Sequence, residues 1–360
     1  MSVPVLDLSV DAPTLTRVLC DLESVSGAEG PLADAVEVAL RRCGHLEVLR
    51  DGDTVVARTR LGRAERVVLA GHLDTVPPAR NLPVRLEGEG ADAVLHGRGT
   101  VDMKGGVAVQ LRLAATVPQP ARDVTFVFYD HEEVSSDLNG LGRVARQHPD
   151  WLAADFAVLL EPTAGAVEGG CNGTMRVEVS THGTAAHSAR AWMGHNAIHD
   201  AGVVLTRLAE YTPREVDVDG LVYRECLNAV GITGGIAGNV IPDRCTVEVN
   251  YRFAPDRSCE QAEAHLRQVF DGLDLVVTDA AAGARPGLTH PAAAAFVTAI
   301  GRGVAPKYGW TDVSRFSAMG VPAVNYGPGD ALLAHADDER CPAAQILECE
   351  RSLRRWLADT

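Results

Sequence analysis

The sequence predicts an α/β protein in which a domain with a mixed sheet flanked by helices is interrupted by a smaller α+β domain. Apolar strand-like runs alternate with amphipathic helical segments in the part before residue 160, as in α/β domains. Beyond residue 173 the pattern changes to alternating strands and two helices, which is typical of a compact two-layer sandwich. A chain of 360 residues is also long for one core, so we expect two domains.

The first part of the chain predicts two helices followed mainly by strands. Asp11 is placed to cap the first helix, and residues 31–43 have the apolar stripe of the second. Further elements are predicted from apolar runs, alternation and helical spacing: strands 46–50, 54–59, 66–70, 123–129 and 155–160, and helix 107–115.

The later part predicts the inserted domain and a return to the first one. The insertion contains strands 175–180, 229–232, 246–253 and 273–277, helices 195–211 and 258–270, and a small-residue loop over 182–188. A stretch bearing Pro and Gly at 280–287 marks the return, followed by helix 291–301, strand 321–325 and helix 345–357. We therefore predict one domain from residues 1–173 and 286–360, and a second from 174–285.

Composition excludes several classes of protein. The formal net charge of −15 is spread along the chain, which disfavours nucleic acid as a partner because phosphate binding needs a basic face. No apolar run reaches the roughly twenty residues that span a bilayer, so no membrane association is expected. Eight scattered cysteines without a Cys-x-x-Cys pair, and an amino terminus unlike a signal peptide, predict reduced thiols in the cytoplasm.

Acidic and imidazole side chains follow three of the predicted strands. His72 and Asp74 follow strand 66–70, Glu132 and Glu133 follow strand 123–129, and Glu161 follows strand 155–160. The carboxyl edge of a sheet is where α/β proteins place ligands and chemistry. Adjacent carboxylates are costly unless they are solvated or neutralised by a cation. A shared metal site explains this recurrence better than chance.

Asp102 adds a further candidate ligand, on a turn punctuated by glycines. The hypothesis is that His72 and Asp102 bind a metal, while Asp74 accepts the other ring N–H of His72 and orients it. For either fragment alone, the alternative of a strand-edge histidine capped by a loop aspartate is the better interpretation.

Seven segments then occur in the order typical of a known family: GHLDTVP, GRGTVDMKGG, DHEE, LEPT, HSA at 187–189, NVIPD and a late histidine, His335. Over nearly its whole length the chain resembles the di-zinc aminoacylase, carboxypeptidase-G and desuccinylase family. The resemblance implies a zinc-peptidase-like catalytic domain interrupted by a ferredoxin-like lid domain, 174–285, through which a homodimer forms.

The resemblance also implies a ligand set for two zinc ions. In it, His72 binds one ion and His335 the other, Asp102 bridges both, and Glu133 and Glu161 each complete one coordination sphere. Imidazole and carboxylate ligands also suit cobalt or manganese, so either can replace zinc.

Catalytic roles follow from the same resemblance. Glu132, the first glutamate of its pair, would be the general base, and Asp74 would support the metal ligands. His187 of one subunit would reach the active site of the other and donate to the developing oxyanion. Without the resemblance, a polar residue in a lid hairpin is the more ordinary interpretation of His187.

Three residues are expected to contact the substrate, a small anionic N-acyl amino acid. The family places Asn239 against substrate, although Asn239 can equally fix the turn before Pro242. Arg252 suits a carboxylate because guanidinium binds it bidentately, although a solvated arginine at a strand end is common. Thr311 lies in a loop that can also be purely structural.

Longer segments resemble the desuccinylase branch of the family, which implies N-succinyl-LL-diaminopimelate as the substrate: RTRLGRAERVVLAGHLDTVP, AHSARAWMGHNAIHDA and NVIPDRCTVEVNYRFAPDR. The chain departs from several members at 171–174, which carries no basic residue. Arg190, Arg252 or Lys307 must then supply the cation. An acetylornithine deacetylase-like enzyme or a carboxypeptidase with the same site remains the alternative, with a non-catalytic metal-binding scaffold as the remote one.

Overall fold

A computed structural model describes residues 4–358, which form two compact units. The first unit extends to Gly169, continues over Pro286–Ala305 and resumes at Arg315, and the second comprises Gly170–Arg285 and Pro306–Ser314. The sequence predicts residues 306–314 as part of the first domain, whereas the structure groups them with the second unit. The segment clusters with the second unit because, for example, the Asn172 main-chain N–H donates to the carbonyl of Lys307 at 3.2 Å.

The α-helices, in chain order, are α1 (Ala12–Asp21), α2 (Gly30–Arg41), α3 (Lys104–Thr116), α4 (Gly140–Gln147), α5 (Pro149–Leu152), α6 (Ala197–Glu210), α7 (Cys259–Val269), α8 (Pro291–Ile300), α9 (Val313–Ala318) and α10 (Ala343–Ala358). Short 3-10 helices lie at Gly90–Asp92, Ser188–Met193 and Ala331–Leu333. Within the described part of the chain, no helix is both long and apolar enough to cross a membrane.

The β-strands, in chain order, are β1 (Glu47–Asp51), β2 (Thr54–Arg58), β3 (Arg66–His72), β4 (Arg85–Glu87), β5 (Val94–His96), β6 (Asp123–Tyr129), β7 (Phe156–Leu159), β8 (Val167–Gly169), β9 (Gly173–His182), β10 (Ala186–His187), β11 (Glu215–Val218), β12 (Leu221–Arg224), β13 (Cys226–Gly234), β14 (Val240–Ile241), β15 (Arg244–Phe253), β16 (Asp274–Ala281), β17 (Val304–Pro306), β18 (Ala323–Asn325) and β19 (Arg340–Pro342).

The main sheet is mixed, as predicted. Its strand order is β1-β2-β6-β3-β7-β18-β8-β17. β3 lies between β6 and β7 and runs parallel to both, whereas β2 pairs antiparallel with β6 and β8 antiparallel with β18. Because β3, β6 and β7 are parallel neighbours, the segments that follow them leave the sheet at one edge.

Helix α3, which follows the loop bearing Asp102, is buried against this sheet. It packs against β3, α1 and α10, and most of its side chains are buried. A Cβ on Gly106 would lie 2.3 Å from the carbonyl oxygen of Leu160, so glycine allows α3 to approach the end of β7. The buried Lys104 donates to the carbonyls of Leu19 and Leu22 at the end of α1, at 3.0 and 2.9 Å.

The second unit contains a four-stranded antiparallel sheet in the order β13-β15-β9-β16. Helices α6 and α7 pack on one face, over a core that includes Val177, Val249 and Tyr251. The α+β sandwich predicted for this part of the chain is therefore present. The segment 182–188, which the sequence predicts as a loop, contains the short strand β10. This strand pairs with β14 and places His187 opposite Val240.

Candidate metal centre

The carboxyl ends of three parallel strands bring the candidate ligands together. β3 ends at His72, which lies opposite Tyr129, the last residue of β6. Glu132 and Glu133 follow β6 by a turn, and Glu161 follows β7. Asp102 comes from the loop before α3, and His335 from the loop after the 3-10 helix Ala331–Leu333.

The ligand atoms form overlapping groups in which all atoms lie within 4.8 Å of one another. One group is His72, Asp102 and Glu161, and a second is Asp102, Glu133 and His335. A third contains His72 with Glu132 and Glu133. The structure thus brings together all five residues predicted as ligands, together with Glu132, and the first two groups share Asp102.

Asp102 faces one imidazole with each of its carboxylate oxygens. Its Oδ1 lies 3.1 Å from Nε2 of His72, and its Oδ2 lies 3.4 Å from Nε2 of His335. Burial alone raises the pKa of Asp102, but hydrogen bonds from His335 and His72 outweigh burial and hold the pKa well below its usual range. Asp102 is therefore an anion between two imidazoles, as a bridging ligand requires.

The surrounding carboxylates raise the pKa values of both imidazoles. Nε2 of His335 lies 2.9 Å from Oε1 of Glu133, and its contacts with Asp102 and Glu133 raise the pKa of His335 to about 10. Burial alone lowers the pKa of His72, but Asp102 and Asp74 outweigh burial and raise it well above its ordinary value. Both rings lie where a strong positive charge is favoured.

The donor set fits zinc. Each of the two groups that share Asp102 offers one imidazole nitrogen and two carboxylates, which are established zinc ligands. Nδ1 of His72 lies 3.0 Å from the carbonyl oxygen of Asp74, which can only accept, so Nδ1 carries a proton. In the neutral ring, Nε2 then presents its lone pair toward Asp102, as metal binding requires.

Asp74 contacts His72 differently from the prediction. The nearest partner of Nδ1 is the main-chain carbonyl of Asp74, and the nearer carboxylate oxygen of Asp74 lies farther away, at 3.5 Å. That carboxylate instead accepts the main-chain N–H groups of Glu132 and Glu133, each at 3.0 Å, and the Ser26 hydroxyl at 2.7 Å. Burial alone raises the pKa of Asp74, but its contacts with His72 lower it to about 2.

A second buried carboxylate, which was not predicted from the sequence, binds the main chain of the turn that bears Glu132. Glu29 is completely buried and accepts the main-chain N–H of His131 at 3.0 Å and that of Gly27 at 2.8 Å. His131 adopts a φ of 59°, which is uncommon for a residue other than glycine. Burial raises the pKa of Glu29. No local pattern in the sequence marks Glu29, because its partner lies about a hundred residues further along the chain.

The remaining predicted site residues lie in the second unit. His187 and Asn239 are brought close together, since the Ser188 main-chain N–H donates to the carbonyl of Asn239 at 2.9 Å. Nδ1 of His187 accepts the main-chain N–H of Ala189 at 3.0 Å, so the proton of the neutral ring is on Nε2. The His187 side chain is exposed, and Thr311 is buried.

Arg252 is a half-buried cation on β15. Its Nε donates to Oδ1 of Asn250 at 3.1 Å, and among the described residues it forms no ion pair. The pKa of Arg252 is lowered mainly by burial and, to a smaller extent, by the nearby charge of Arg176. A guanidinium in this position is suited to an anionic ligand.

Comparison with known proteins identifies the class to which this fold and site belong. The chain belongs to peptidase family M20/M25/M40, whose family model matches residues 68–359. It is 58% identical over 355 residues to the putative succinyl-diaminopimelate desuccinylase DapE of Mycobacterium tuberculosis, covering 98% of this chain and 99% of that protein. It is 46% identical over 367 residues to the succinyl-diaminopimelate desuccinylase of Corynebacterium glutamicum, covering 99% and 98%. The family inferred from the motifs is confirmed.

Solved structures show the same fold at low sequence identity. A tripeptidase from Staphylococcus aureus matches with a TM-score of 0.79 at 19% identity, over 99% of each chain. An M20 family metallo-carboxypeptidase from Sulfolobus solfataricus matches with a TM-score of 0.78 at 16% identity, over 97% of this chain and 99% of that one. A dinuclear metal-binding peptidase from Bacillus subtilis matches with a TM-score of 0.71 at 16% identity, over 96% of each chain. The predicted fold class is confirmed.

Proposed function

We propose that the protein is a metal-dependent amide hydrolase that cleaves N-succinyl-LL-diaminopimelate to succinate and LL-diaminopimelate, a step toward lysine and cell-wall precursors. The observation that carries the reaction class is that two groups of metal-binding side chains share Asp102 while Glu132 lies beside them. The substrate follows from the two desuccinylases that are similar to this chain over nearly its whole length.

The proposed metal ligands are five side chains for two zinc ions, which cobalt or manganese can replace. His72 and Glu161 would hold one ion, Glu133 and His335 the other, and Asp102 both. When bound, such ions supply Lewis acidity that activates water and polarises the amide carbonyl. The support in this chain is the donor set and the proton on Nδ1 of His72.

Glu132 is the proposed general base. Its carboxylate would take the proton of the attacking water and later return that proton to the departing amine. Its main-chain N–H donates to Asp74, whose carboxylate is completely buried, so the start of the side chain is fixed relative to β3. Asp74 thereby supports catalysis through both His72 and Glu132.

His187 is the proposed donor to the developing oxyanion. In the neutral ring the proton lies on Nε2, because Nδ1 accepts a hydrogen bond. The ring is exposed, so this N–H group is accessible to a ligand. A donor of this kind stabilises charge that appears only in the transition state, and its loss typically slows turnover by about 100–1000-fold.

Arg252 is the proposed partner of a substrate carboxylate, and Asn239 and Thr311 are proposed to contact the remaining polar groups. N-Succinyl-LL-diaminopimelate carries three carboxylates, so a half-buried guanidinium without an acidic partner in the described structure suits it. The neighbouring Arg176, exposed on β9, adds to the positive charge around Arg252.

The proposed assembly is a homodimer formed through the second unit. β13 is an edge strand of nine residues, and Val230 and Ile232 on it are 62% and 54% exposed. Ile198 and Leu205 of α6 are exposed as well, and Gly202 between them has open space around it. Pairing of β13 with the same strand of a second copy would cover this edge by a two-fold interface.

We place the reaction in the cytoplasm, as the sequence predicts. All eight cysteines are free thiols, including five that are buried, and reduced cysteines are typical of a reducing compartment.

A substrate panel tests the proposed function. The purified, zinc-loaded protein should hydrolyse N-succinyl-LL-diaminopimelate with a higher kcat/KM than N-acetylornithine, other N-acyl amino acids or peptides with a free carboxyl terminus. A preference for an acetylated substrate or a peptide would contradict the substrate and leave the hydrolase class intact. Hydrolysis of none of them would favour a metal-binding scaffold.

A further inference from the structure

A buried ion pair joins the two loops that carry Asp102 and His335. Nη1 of Arg98 lies 2.8 Å from Oε2 of Glu339, and the two side chains are 4% and 0% exposed. Arg98 precedes Asp102 in one loop, and Glu339 follows His335 in the other. The pair therefore connects segments that lie far apart in the sequence and meet at the proposed metal centre.

The second carboxylate oxygen of Glu339 holds the main chain at Asp102. Oε1 accepts the main-chain N–H of Val101 at 2.9 Å and that of Asp102 at 3.2 Å. The main-chain oxygen of Glu339 also accepts the N–H of Gly97 at 2.9 Å. The backbone from which the Asp102 side chain extends is thus fixed to the loop that contains His335.

Arg98 also donates to three main-chain carbonyls, two of which lie in the loop that contains His335. Nη2 donates to the carbonyl of His335 at 3.3 Å, Nη1 to that of Ala336 at 3.4 Å, and Nε to that of Pro77 at 3.3 Å. His335 has a φ of 63°, in the left-handed region that residues other than glycine rarely adopt. The guanidinium therefore binds the main chain at a residue whose backbone conformation is unfavourable.

Stability alone is a poor explanation for this pair. Burying two charges carries a large desolvation cost, and apolar side chains of similar size often stabilise a fold as well or better. Here both side chains form hydrogen bonds with the main chain of the two loops that bear Asp102 and His335. Such partners of metal ligands orient the ligands and tune the affinity of the site.

We propose that Arg98 and Glu339 are positioning residues that set the separation of Asp102 from His335 and thereby the cation affinity of the Asp102–Glu133–His335 group. This inference rests on the proposed function, because it takes that group to be one of two metal-binding groups. It adds two residues that would touch neither metal nor substrate and would act only through the main chain of the ligands.

Two substitutions separate the contributions of the pair. Arg98→Lys keeps the charge opposite Glu339 but loses the donors to His335 and Ala336, so it should disturb the His335 loop and leave Asp102 in place. Glu339→Gln has only one acceptor oxygen, which the charged guanidinium of Arg98 should keep. The amide NH2 then faces the main-chain N–H groups of Val101 and Asp102, so this variant should disturb Asp102. Because both groups share Asp102, Glu339→Gln should weaken both, and Arg98→Lys only one.

Asp123→Asn is a matched control in the same unit. Asp123 is a 5% exposed carboxylate that also accepts two main-chain N–H groups, those of Leu61 at 2.9 Å and Arg63 at 3.0 Å, and it lies 3.6 Å from Arg66. It stands at the first residue of β6, at the opposite end of the strand from the turn that bears Glu132. Its loss should lower stability without changing metal affinity.

The experiment is calorimetric titration of the metal-free full-length chain with Zn²⁺, with the melting temperature of each metal-free variant measured alongside. The wild type and Asp123→Asn should bind two equivalents with the same affinities. Arg98→Lys should weaken one equivalent by about 10–100-fold and leave the other unchanged, and Glu339→Gln should weaken both. The absorption spectrum of Co²⁺ should report the altered coordination.

Two results would overturn the inference alone. One is a wild type that binds two equivalents while Arg98→Lys binds both unchanged. The other is equal weakening in Arg98→Lys and Asp123→Asn, in proportion to a lowered melting temperature. If Glu339→Gln does not fold, Arg98→Lys decides. A wild type that binds fewer than two equivalents would instead overturn the two-ion metal centre of the proposed function, and the inference with it.

Discussion

The carboxylate of Asp74 accepts the main-chain N–H of Glu132 at 3.0 Å, across a sequence separation of 58 residues. The same residue uses its carbonyl oxygen to fix the ring of His72. One side chain and its own backbone thus orient both a proposed metal ligand and the proposed general base. Loss of either contact should be visible in catalysis.

Replacement of Asp74 with Asn should impair turnover more than substrate binding. Asn keeps one acceptor oxygen for the main chain of Glu132 and Glu133 but removes the charge beside His72. We expect kcat to fall by about 10–100-fold while KM changes little, because partners of metal ligands tune activity by this amount. Steady-state kinetics and metal analysis on the same preparation measure this. Unchanged kcat would show that the contacts of Asp74 do not support the reaction.

Replacement of Glu132 with Gln should separate metal binding from chemistry. Glu132 is outside both groups that share Asp102, so the variant should retain the metal content of the wild type. Loss of a general base typically costs about 100–10,000-fold in rate, and kcat should fall by that amount. Metal analysis and kcat at saturating substrate are the two measurements. A variant that kept its activity would assign the base to another residue.

Mixing two inactive variants tests whether His187 acts across the dimer. If His187 serves the partner's active site, a heterodimer of Glu132→Gln and His187→Ala contains one site with both lesions and one intact site. Random exchange of subunits should then restore up to about a quarter of the wild-type activity, because half of the dimers are mixed and one site in each is intact. If His187 serves its own subunit, every site retains a lesion and mixing restores nothing.

Asp123 predicts a pH dependence of stability with a definite sign. Burial alone raises its pKa, but hydrogen bonds from the Leu61 main chain, the Thr59 hydroxyl and the Arg63 main chain hold it below its ordinary value of 3.8. A carboxyl whose pKa is lowered by folding contributes stability that is present above the unfolded pKa and is lost as pH falls through the folded pKa.

Replacement of Asp123 with Asn should therefore lower the free energy of unfolding by about 2 kcal/mol at pH 7. The difference from the wild type should shrink below about pH 4, because the carboxyl group of Asp123 is protonated first in the unfolded wild type and only at lower pH in the folded one. Urea unfolding at a series of pH values measures both. A difference that stayed constant down to pH 2 would show that the charge of Asp123 contributes nothing.

Much of the architecture was accessible from sequence because β3, β6 and β7 are apolar runs with clear ends. Parallel pairing of these strands then brings His72, Glu133 and Glu161 to one edge, as the pattern predicted. The hairpin of β11 and β12 was missed although a signal was present. Asp219 and Gly220 lie between two alternating segments and have φ values of 53° and 87°, as a tight hairpin turn requires.

Other features had no local signal. β4, β5 and β19 have three residues each, too few for a period, and they pair only because distant segments meet. Glu29 and Glu339 act on main-chain groups far away in sequence, which no spacing rule describes. For Asp74, a pattern could place the residue beside His72 but could not distinguish its carboxylate from its carbonyl oxygen.

The proposed metal centre requires Asp102 to be shared by two cation-binding groups, and the metal content of Asp102→Ala is the test of this claim. The comparison is with Glu161→Ala, which belongs to only one of those groups. With both variants shown to be folded, the wild type should bind two zinc ions per chain, Glu161→Ala should weaken one of them, and Asp102→Ala should weaken both. An Asp102→Ala variant that kept either ion at wild-type affinity would contradict the claim.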